Sequence, residues 1–303
     1  MTTATDLDRA AAQPAFQQIS GRRKAKNRVA GALITGTFVL ALAPLVWVLF
    51  TVIARGFEHV LTPEWWTRSL AGLTSRQFGG GVYHAIYGTL IQGLICAVIA
   101  VPIAILVAVY LVEYGRGSRL ARAVTFTVDI LSGVPSIVAA LFVYALWITT
   151  FGLPRSGFAV ALALVLLMIP VVVRTTEELL KIVPDELREA AYALGIPKWK
   201  TIVKIVIPTA LSGIITGITL AIARVMGETA PVLILVGYTS FINFDPFNGS
   251  MASLPLLMAS ERLTINDVGE ARVWGAAVTL ILIITVFNLL GSLISRMTSL
   301  KTK

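Results

Sequence analysis

Cysteine occurs once in these 303 residues, histidine twice, and charged side chains make up only 14% of the chain. Each shortage closes a class of function. The single cysteine, Cys96, has no intrachain disulfide partner, and its apolar neighbours suit a small core filler. His59 and His84 show no His-x-x-x-His spacing and no Cys-x-x-Cys accompanies them, so no metal site is expected. A Gly-x-x-x-x-Gly-Lys-Ser/Thr loop is missing, and with it the means to cradle nucleotide phosphates. A Gly-x-Ser-x-Gly nucleophile elbow is missing as well, which leaves no catalytic constellation. The low charge also excludes an ordinary soluble domain, where roughly a quarter of residues are charged.

What the chain has in excess is apolar length. Hydrophobic residues make up 56% of it and the mean hydropathy is +0.83. Runs long enough to cross a bilayer fall at 29–54, 83–112, 120–151, 158–173, 205–236 and 273–294. They predict an all-α membrane protein with six transmembrane helices. Residues 1–28 read as a cytosolic polar tail, 29–296 as the transmembrane domain and 297–303 as a cytosolic C-terminus. No small-residue cleavage site follows the first run, which therefore reads as a retained helix. The third is interrupted by Ser132-Gly133-Val134-Pro135-Ser136 and is expected to be broken or kinked.

The net charge of +9 is explained by topology. With the N-terminus in the cytosol, eighteen of the 25 Lys and Arg fall on the cytosolic side, six fall outside, and Arg224 falls within a span. That asymmetry places both termini in the cytosol. No basic strand interleaved with aromatics is present, so no nucleic-acid partner is expected. Of the two large outer segments, 55–82 carries Trp65-Trp66, suited to the membrane interface, and a Gly79-Gly80-Gly81 hinge. The other, 237–272, is turn-rich around Asn243 to Ser250, and its apolar piece 254–259 is too short to span.

The cytosolic insert at 174–204 is the most informative stretch. Leu187, Ala190, Ala191 and Leu194 fall at i, i+3, i+4 and i+7, one apolar stripe on a helix. Pro184, Asp185 and Glu186 suit its first turn, and Gly195 followed by Pro197 suits its end. So short a helix is unstable alone, and its stripe of small residues calls for a groove in a soluble partner.

Three ionisable residues lie at membrane depth, where charge is costly: Asp129, Arg224 and Glu228. On a continuous helix Gly213, Gly217, Arg224 and Glu228 share one face, within about 60° of each other. Two readings stand. Arg224 and Glu228 neutralise each other along the helix, or Arg224 meets an anionic substrate while Glu228 holds the guanidinium or a cation of a second subunit. Asp129, one turn before Gly133 and Pro135, is expected to support the helix break or to line a path.

The order Glu189-Ala190-Ala191-x-x-x-Gly195, nine residues, then Ile205-x-Ile207-Pro208 resembles the cytosolic loop of ABC importer permeases, with Ile207 where leucine is usual. Leu131 to Val138 (Leu-Ser-Gly-Val-Pro-Ser-Ile-Val), the run from Ala223 to Pro231, and Met251-Ala252-Ser253-Leu254-Pro255 resemble phosphate-importer permeases of the PstA type. The resemblance covers about residues 29–296 and implies a type I (MetI-like) importer fold with no enzymatic activity of its own. It also implies a homologous PstC-type permease, a cytosolic PstB-type ATPase dimer that binds ATP and magnesium, and an extracytoplasmic phosphate-binding protein. This chain itself would need no cofactor. Glu189, Ala190, Ala191 and Gly195 would couple to the ATPase, and Arg224 and Glu228 would line the path of inorganic phosphate. A permease for another oxyanion or organic phosphate, and a membrane scaffold or sensor relaying phosphate status, remain the alternative expectations.

Overall fold

The computed structural model describes residues 20–74, 76–263 and 266–298, and every regular element among them is helical. The chain divides into two compact units, residues 1–51 and 52–303. What is described of the first is one helix, α1 (Gly21–Val60), which continues into the second. Residues 21–28, expected to be tail, are its opening turns; the rest of the expected tail, up to residue 19, lies outside the described residues. At 1.5 Å per residue α1 is about 60 Å long, twice a bilayer's apolar core, so only its uncharged middle can lie in hydrocarbon.

The second unit holds α2 (Pro63–Thr67), α3 (Tyr83–Tyr114), α4 (Arg119–Ser132), α5 (Ser136–Thr150) and α6 (Gly157–Ile182). The cytosolic α7 (Asp185–Ala193) follows, then α8 (Lys198–Met226), α9 (Ala230–Leu235), α10 (Leu254–Glu261) and α11 (Asp267–Thr298). Five helices, α1, α3, α6, α8 and α11, are each long and apolar enough to cross a membrane. The expected third span is instead the pair α4–α5, bent by 106°. Proline at 135 has no N–H to continue the ladder and forces Val134 out of helical conformation, so the break at Gly133–Pro135 is sharp. The pair still carries the chain across. Beyond it, the Ser156 N–H donates to the Leu235 carbonyl (3.1 Å) and the Phe158 N–H to the Pro246 carbonyl (2.7 Å), both at the outer end.

Two expected spans change their limits. The fourth does not stop at 173: α6 continues through Arg174 to Ile182, so the first nine residues of the expected cytosolic insert are helix. Arg174 is tolerated there because Asp129 of α4 and Glu177 (2.8 Å) neutralise it. The fifth does not reach 236. It ends at Met226, and Pro231 opens the separate α9 in its first turn, where a missing N–H costs nothing.

The core is built on α3 against α6. Gly88, Gln92, Cys96, Ala100, Ala104 and Ala108 recur at four-residue intervals along α3 and are all buried. Small residues on that row let the helix backbones approach closely, the usual means of packing where lipid offers no hydrophobic drive. Facing them are Ala159, Val160, Ala163, Met168 and Val172 of α6. A second cluster closes the outer end around Trp65, Leu70, Leu254 and Leu257. Trp65 is thus core and not interfacial: it is 5% exposed and its indole N–H donates to Thr279 Oγ1 (2.8 Å). Of the three consecutive glycines, Gly79 is open to space but Gly80 and Gly81 are packed, a Cβ at Gly81 lying 2.4 Å from the Glu64 carbonyl oxygen, which leaves little of the expected hinge.

The outer segment before α10 is laid directly on α3. A Cβ at Gly88 would sit 1.8 Å from the Ala252 carbonyl oxygen, and the Leu254 N–H donates to Thr89 Oγ1 (2.8 Å). Its tip is a turn in which Asp245 accepts from the Phe247 N–H (2.8 Å) and the Asn248 amide (2.9 Å). These bonds, the Asn248 amide first, hold the Asp245 carboxyl below its ordinary range.

Gly88→Ala is expected to be strongly destabilising, by about 3 kcal/mol or more, because backbone rather than a movable side chain meets the new methyl. Thermal unfolding of the detergent-solubilised protein measures it; an unchanged midpoint would show that this close approach is not made.

Candidate functional site

The cytosolic helix α7 is too short to hold itself, and the chain holds it through one residue that the sequence does not flag. Arg188 is 6% exposed and points inward. Its Nε (3.1 Å) and Nη2 (2.9 Å) both donate to one carboxylate oxygen of Glu113, in the π-helical last turn of α3. The remaining donors go to the carbonyls of Leu180 (3.0 Å) and Val183 (2.6 Å) and to Asp185 Oδ1 (3.1 Å). The Leu180 and Val183 carbonyls belong to the end of α6, where no intrahelical donor is available. One guanidinium therefore caps α6, anchors α7 and grips α3. Lys198, at the start of α8, closes the ring by donating to the Glu113 carbonyl, with its ammonium 4.9 Å from the Tyr114 ring centroid.

The far end of α7 is fixed by its cap. Gly195 has φ +72°, its N–H donates to the Tyr192 carbonyl (2.9 Å), and the Ile196 N–H donates to the Ala191 carbonyl (3.0 Å). This is the Schellman pattern, which requires a left-handed residue where glycine is free of strain. The expected apolar stripe divides in two. Ala191 turns into the chain's own core at 3% exposure, while Leu187, Ala190 and Leu194 stay exposed beside Glu189, Tyr192 and Trp199. The exposed set is an unpartnered, partly apolar face on a helix whose position is set from behind.

At the other end of α8 the intramembrane charges are arranged differently from the expectation. Arg224 lies in the last turn of α8 and is exposed, whereas Glu228 lies in the break between α8 and α9. The two do not share a helix face, because the helix they were placed on ends between them. Neither side chain has an ion-pair or hydrogen-bond partner among the described residues. The reading in which they neutralise each other is therefore set aside. Gly213 and Gly217 do face protein: a Cβ at Gly213 would meet Leu179 (2.6 Å) and one at Gly217 would meet Thr175 (3.0 Å), both on α6.

Asp129 does not serve the helix break through its side chain, as expected, but pairs with Arg174. Arg174 joins Glu177, which also binds Lys181 (2.7 Å), so a chain of four charges links α4 to the cytosolic end of α6. Gly133 and Pro135 stand at the bend itself, where an apolar cavity of about 280 Å³ opens between Val134, Phe142 and Leu166. A larger cavity, about 510 Å³, lies on the outer rim, lined by Glu261, Arg262, Asp267 and Glu270, of which Glu261 and Glu270 are paired with Arg272 (3.3 Å) and Arg55 (2.7 Å). Arg188 and Glu113 escaped sequence reasoning because they are 75 positions apart. The available signal was a carboxylate closing an otherwise apolar helix.

A family model described as "Binding-protein-dependent transport system inner membrane component" matches residues 100–300. Among similar curated proteins is the phosphate transport system permease protein PstA 1 of Mycobacterium tuberculosis, 58% identical over 97% of this chain and 96% of the relative. PstA of Yersinia pestis is 39% identical, covering 90% of each. Among solved structures, the bacterial alginate ABC transporter in complex with its alginate pentasaccharide-bound periplasmic protein matches with TM-score 0.64 and 16% identity, over 90% of this chain and 96% of that one. The MetNI methionine ABC transporter in inward-facing form matches with TM-score 0.56 and 19% identity, over 73% of this chain and 95% of that one.

Arg188→Met should cost about 3–5 kcal/mol, because it strands the Glu113 charge; combined with Glu113→Leu the loss should shrink rather than add. Denaturant unfolding of the two single variants and the double variant checks the sign of the coupling. Gly195→Val should cost about 1–2 kcal/mol locally, from a branched residue forced to positive φ. Hydrogen exchange at residues 191–196 should then quicken roughly tenfold, and unaltered protection there would mean that the cap does not hold α7.

Proposed function

We propose, for a chain that belongs to the family of binding-protein-dependent transport system inner membrane components, the role of permease subunit in an ATP-driven phosphate importer. It is a multi-pass protein of the bacterial inner membrane, with the fold of type I importer permeases. The near-full-length likeness to PstA proteins carries the substrate, inorganic phosphate. The chain's own geometry supplies the two ends of the device.

At the outer end, Arg224 is the anion's contact. It is exposed at a helix end, has no acid partner among the described residues, and presents a fork of N–H donors that suits a phosphate's oxygens. Glu228, at the break beyond it, sets the local sign and meets a cation of the second permease. That second permease, homologous and of the PstC type, completes the path, and an extracytoplasmic phosphate-binding protein delivers the cargo.

At the cytosolic end, the exposed face of α7 with Glu189, Ala190 and Leu194 seats in a groove of a PstB-type ATPase dimer. Gly195 ends the helix so that the chain can return to the membrane, and Ala191 lets it lie close against its own bundle. ATP and magnesium belong to that partner; this chain contributes no cofactor. Closure of the dimer pushes on α7, which cannot tilt alone because Arg188 binds it to the ends of α3 and α6. The displacement enters α8 through the π-helical turn Ile202–Val206. From Lys198 to Arg224, α8 is a lever about 39 Å long at 1.5 Å per residue. A push on the cytosolic loop is thereby converted into motion of the anion's contact.

Arg224→Gln should leave membrane assembly intact and lower uptake of radiolabelled phosphate about a hundredfold, the loss of one charge-assisted contact. Uptake is measured in vesicles holding the chain with its co-purified partners. Competition by arsenate but not by sulfate or phosphonates is the expected result for a phosphate importer. Normal uptake by the variant would falsify the role of Arg224, and preferred uptake of another oxyanion would replace phosphate as the cargo.

A further inference from the structure

We propose that Gln92 is a further substrate-facing residue of the transport path, donating its side-chain amide to the anion as it passes Glu228. This rests on the reading of Arg224 and Glu228 as the path.

Gln92 interrupts the row of small residues along the buried face of α3, one turn from Gly88 on one side and Cys96 on the other. A long polar side chain is out of place in such a row unless its polar atoms are used. It is 2% exposed, and its amide nitrogen has no hydrogen-bond partner among the described residues. The neighbouring polar group is treated differently. Thr89 donates to the Ala85 carbonyl (2.9 Å) and accepts from the Leu254 N–H (2.8 Å), so it is satisfied within the fold. An unpaired donor held in an apolar interior costs stability, so its partner is not part of the chain: a water while the crevice is closed, or a ligand that enters when it opens.

The place of Gln92 says which partner. It lines one crevice with Thr89, Val225, Met226, Glu228 and Ser253, at the level where α8 ends. A carboxylate only accepts hydrogen bonds, so Glu228 cannot satisfy the oxygens of a bare oxyanion. Among the side chains lining the crevice, the Gln92 amide is the donor without a partner that an anion at that level could use. A neutral amide suits that position, because it adds a donor without a further charge to bury.

The crevice is closed as it stands. It leaves about 10 Å³, room for a single water and too little for an oxyanion. Its outer wall includes Ser253, from the same Met251 to Pro255 run that resembles PstA permeases in sequence. That run is pressed onto α3, where the Ala252 carbonyl oxygen occupies the space a Cβ on Gly88 would need and Leu254 is held by Thr89. Entry of the anion therefore requires this wall and α3 to part, which exposes the Gln92 amide as the path opens.

The test compares Gln92→Leu and Gln92→Asn with the unmodified chain in vesicles containing its co-purified partners. Initial rates of radiolabelled phosphate uptake are read together with the thermal unfolding midpoint of the purified assembly. Leucine is close to glutamine in volume and removes the unpaired donor, so the midpoint should hold or rise while kcat/KM for uptake falls ten- to a hundredfold. Asparagine keeps an amide one methylene shorter and should recover part of the uptake. Wild-type uptake by Gln92→Leu overturns the proposal, and so does a fall in uptake accompanied by a lower midpoint or failed assembly, which marks a structural role. Failure of the underlying reading is distinct: the unmodified chain would then take up no phosphate, or would take up a different oxyanion, whose uptake the same variants can be used to follow.

Discussion

Burying a guanidinium obliges a fold to match both its charge and its five donors, and at Arg188 that obligation organises the cytosolic half of the molecule. Its partners lie on three elements: Glu113 on α3, the terminal carbonyls of α6, and Asp185 on α7 itself. The pair with Glu113 need not stabilise the protein more than a well-packed apolar pair would. Its value is directional. An apolar contact tolerates sliding, whereas several donors aimed at fixed acceptors allow one orientation of α7 relative to the bundle. The exposed face of α7 is therefore presented at a defined angle, and a load applied there reaches the ends of two membrane helices.

The same rule operates elsewhere, with an exception at the end of α8. Arg174 meets Asp129 and Glu177, and Arg272, 4% exposed, meets Glu261 (3.3 Å) and the Gln77 carbonyl (2.8 Å). These charges are spent inside the chain. Arg224 and Glu228 are not, among the described residues; Arg224 stands in the last turn of α8 and Glu228 in the break that follows. Membrane-embedded charges that remain uncompensated within a subunit are compensated by another subunit, by water or by cargo.

How far the sequence could be read depended on whether a property was carried by neighbours along the chain or across it. Hydropathy reports the local composition, so the crossings were legible, including the broken one, where Pro135 acts on its immediate neighbours. The α7 helix was legible for the same reason: its stripe, its acidic first turn and its terminal glycine fall within eleven positions, from Asp185 to Gly195. Errors arose where a distant partner reversed a local tendency. Arg174 appeared to end a span, but Asp129, 45 positions earlier, makes its charge tolerable and the helix continues. Trp65 had the character of an interfacial residue, but Thr279 supplies its indole with an acceptor and Gly275 leaves room for its ring.

Amino-acid order alone thus determined the class of protein, the number of crossings, their orientation through the basic residues, and the cytosolic helix with its cap. These follow from transfer free energies and backbone preferences, which each residue carries with it. Tertiary structure decided which charges cancel, which face of α7 is left for a partner, and that Glu228 leaves the helix of Arg224 and shares a crevice with Gln92. Those outcomes depend on distances between residues far apart in the chain, and they exist only once α3, α6 and α8 have packed.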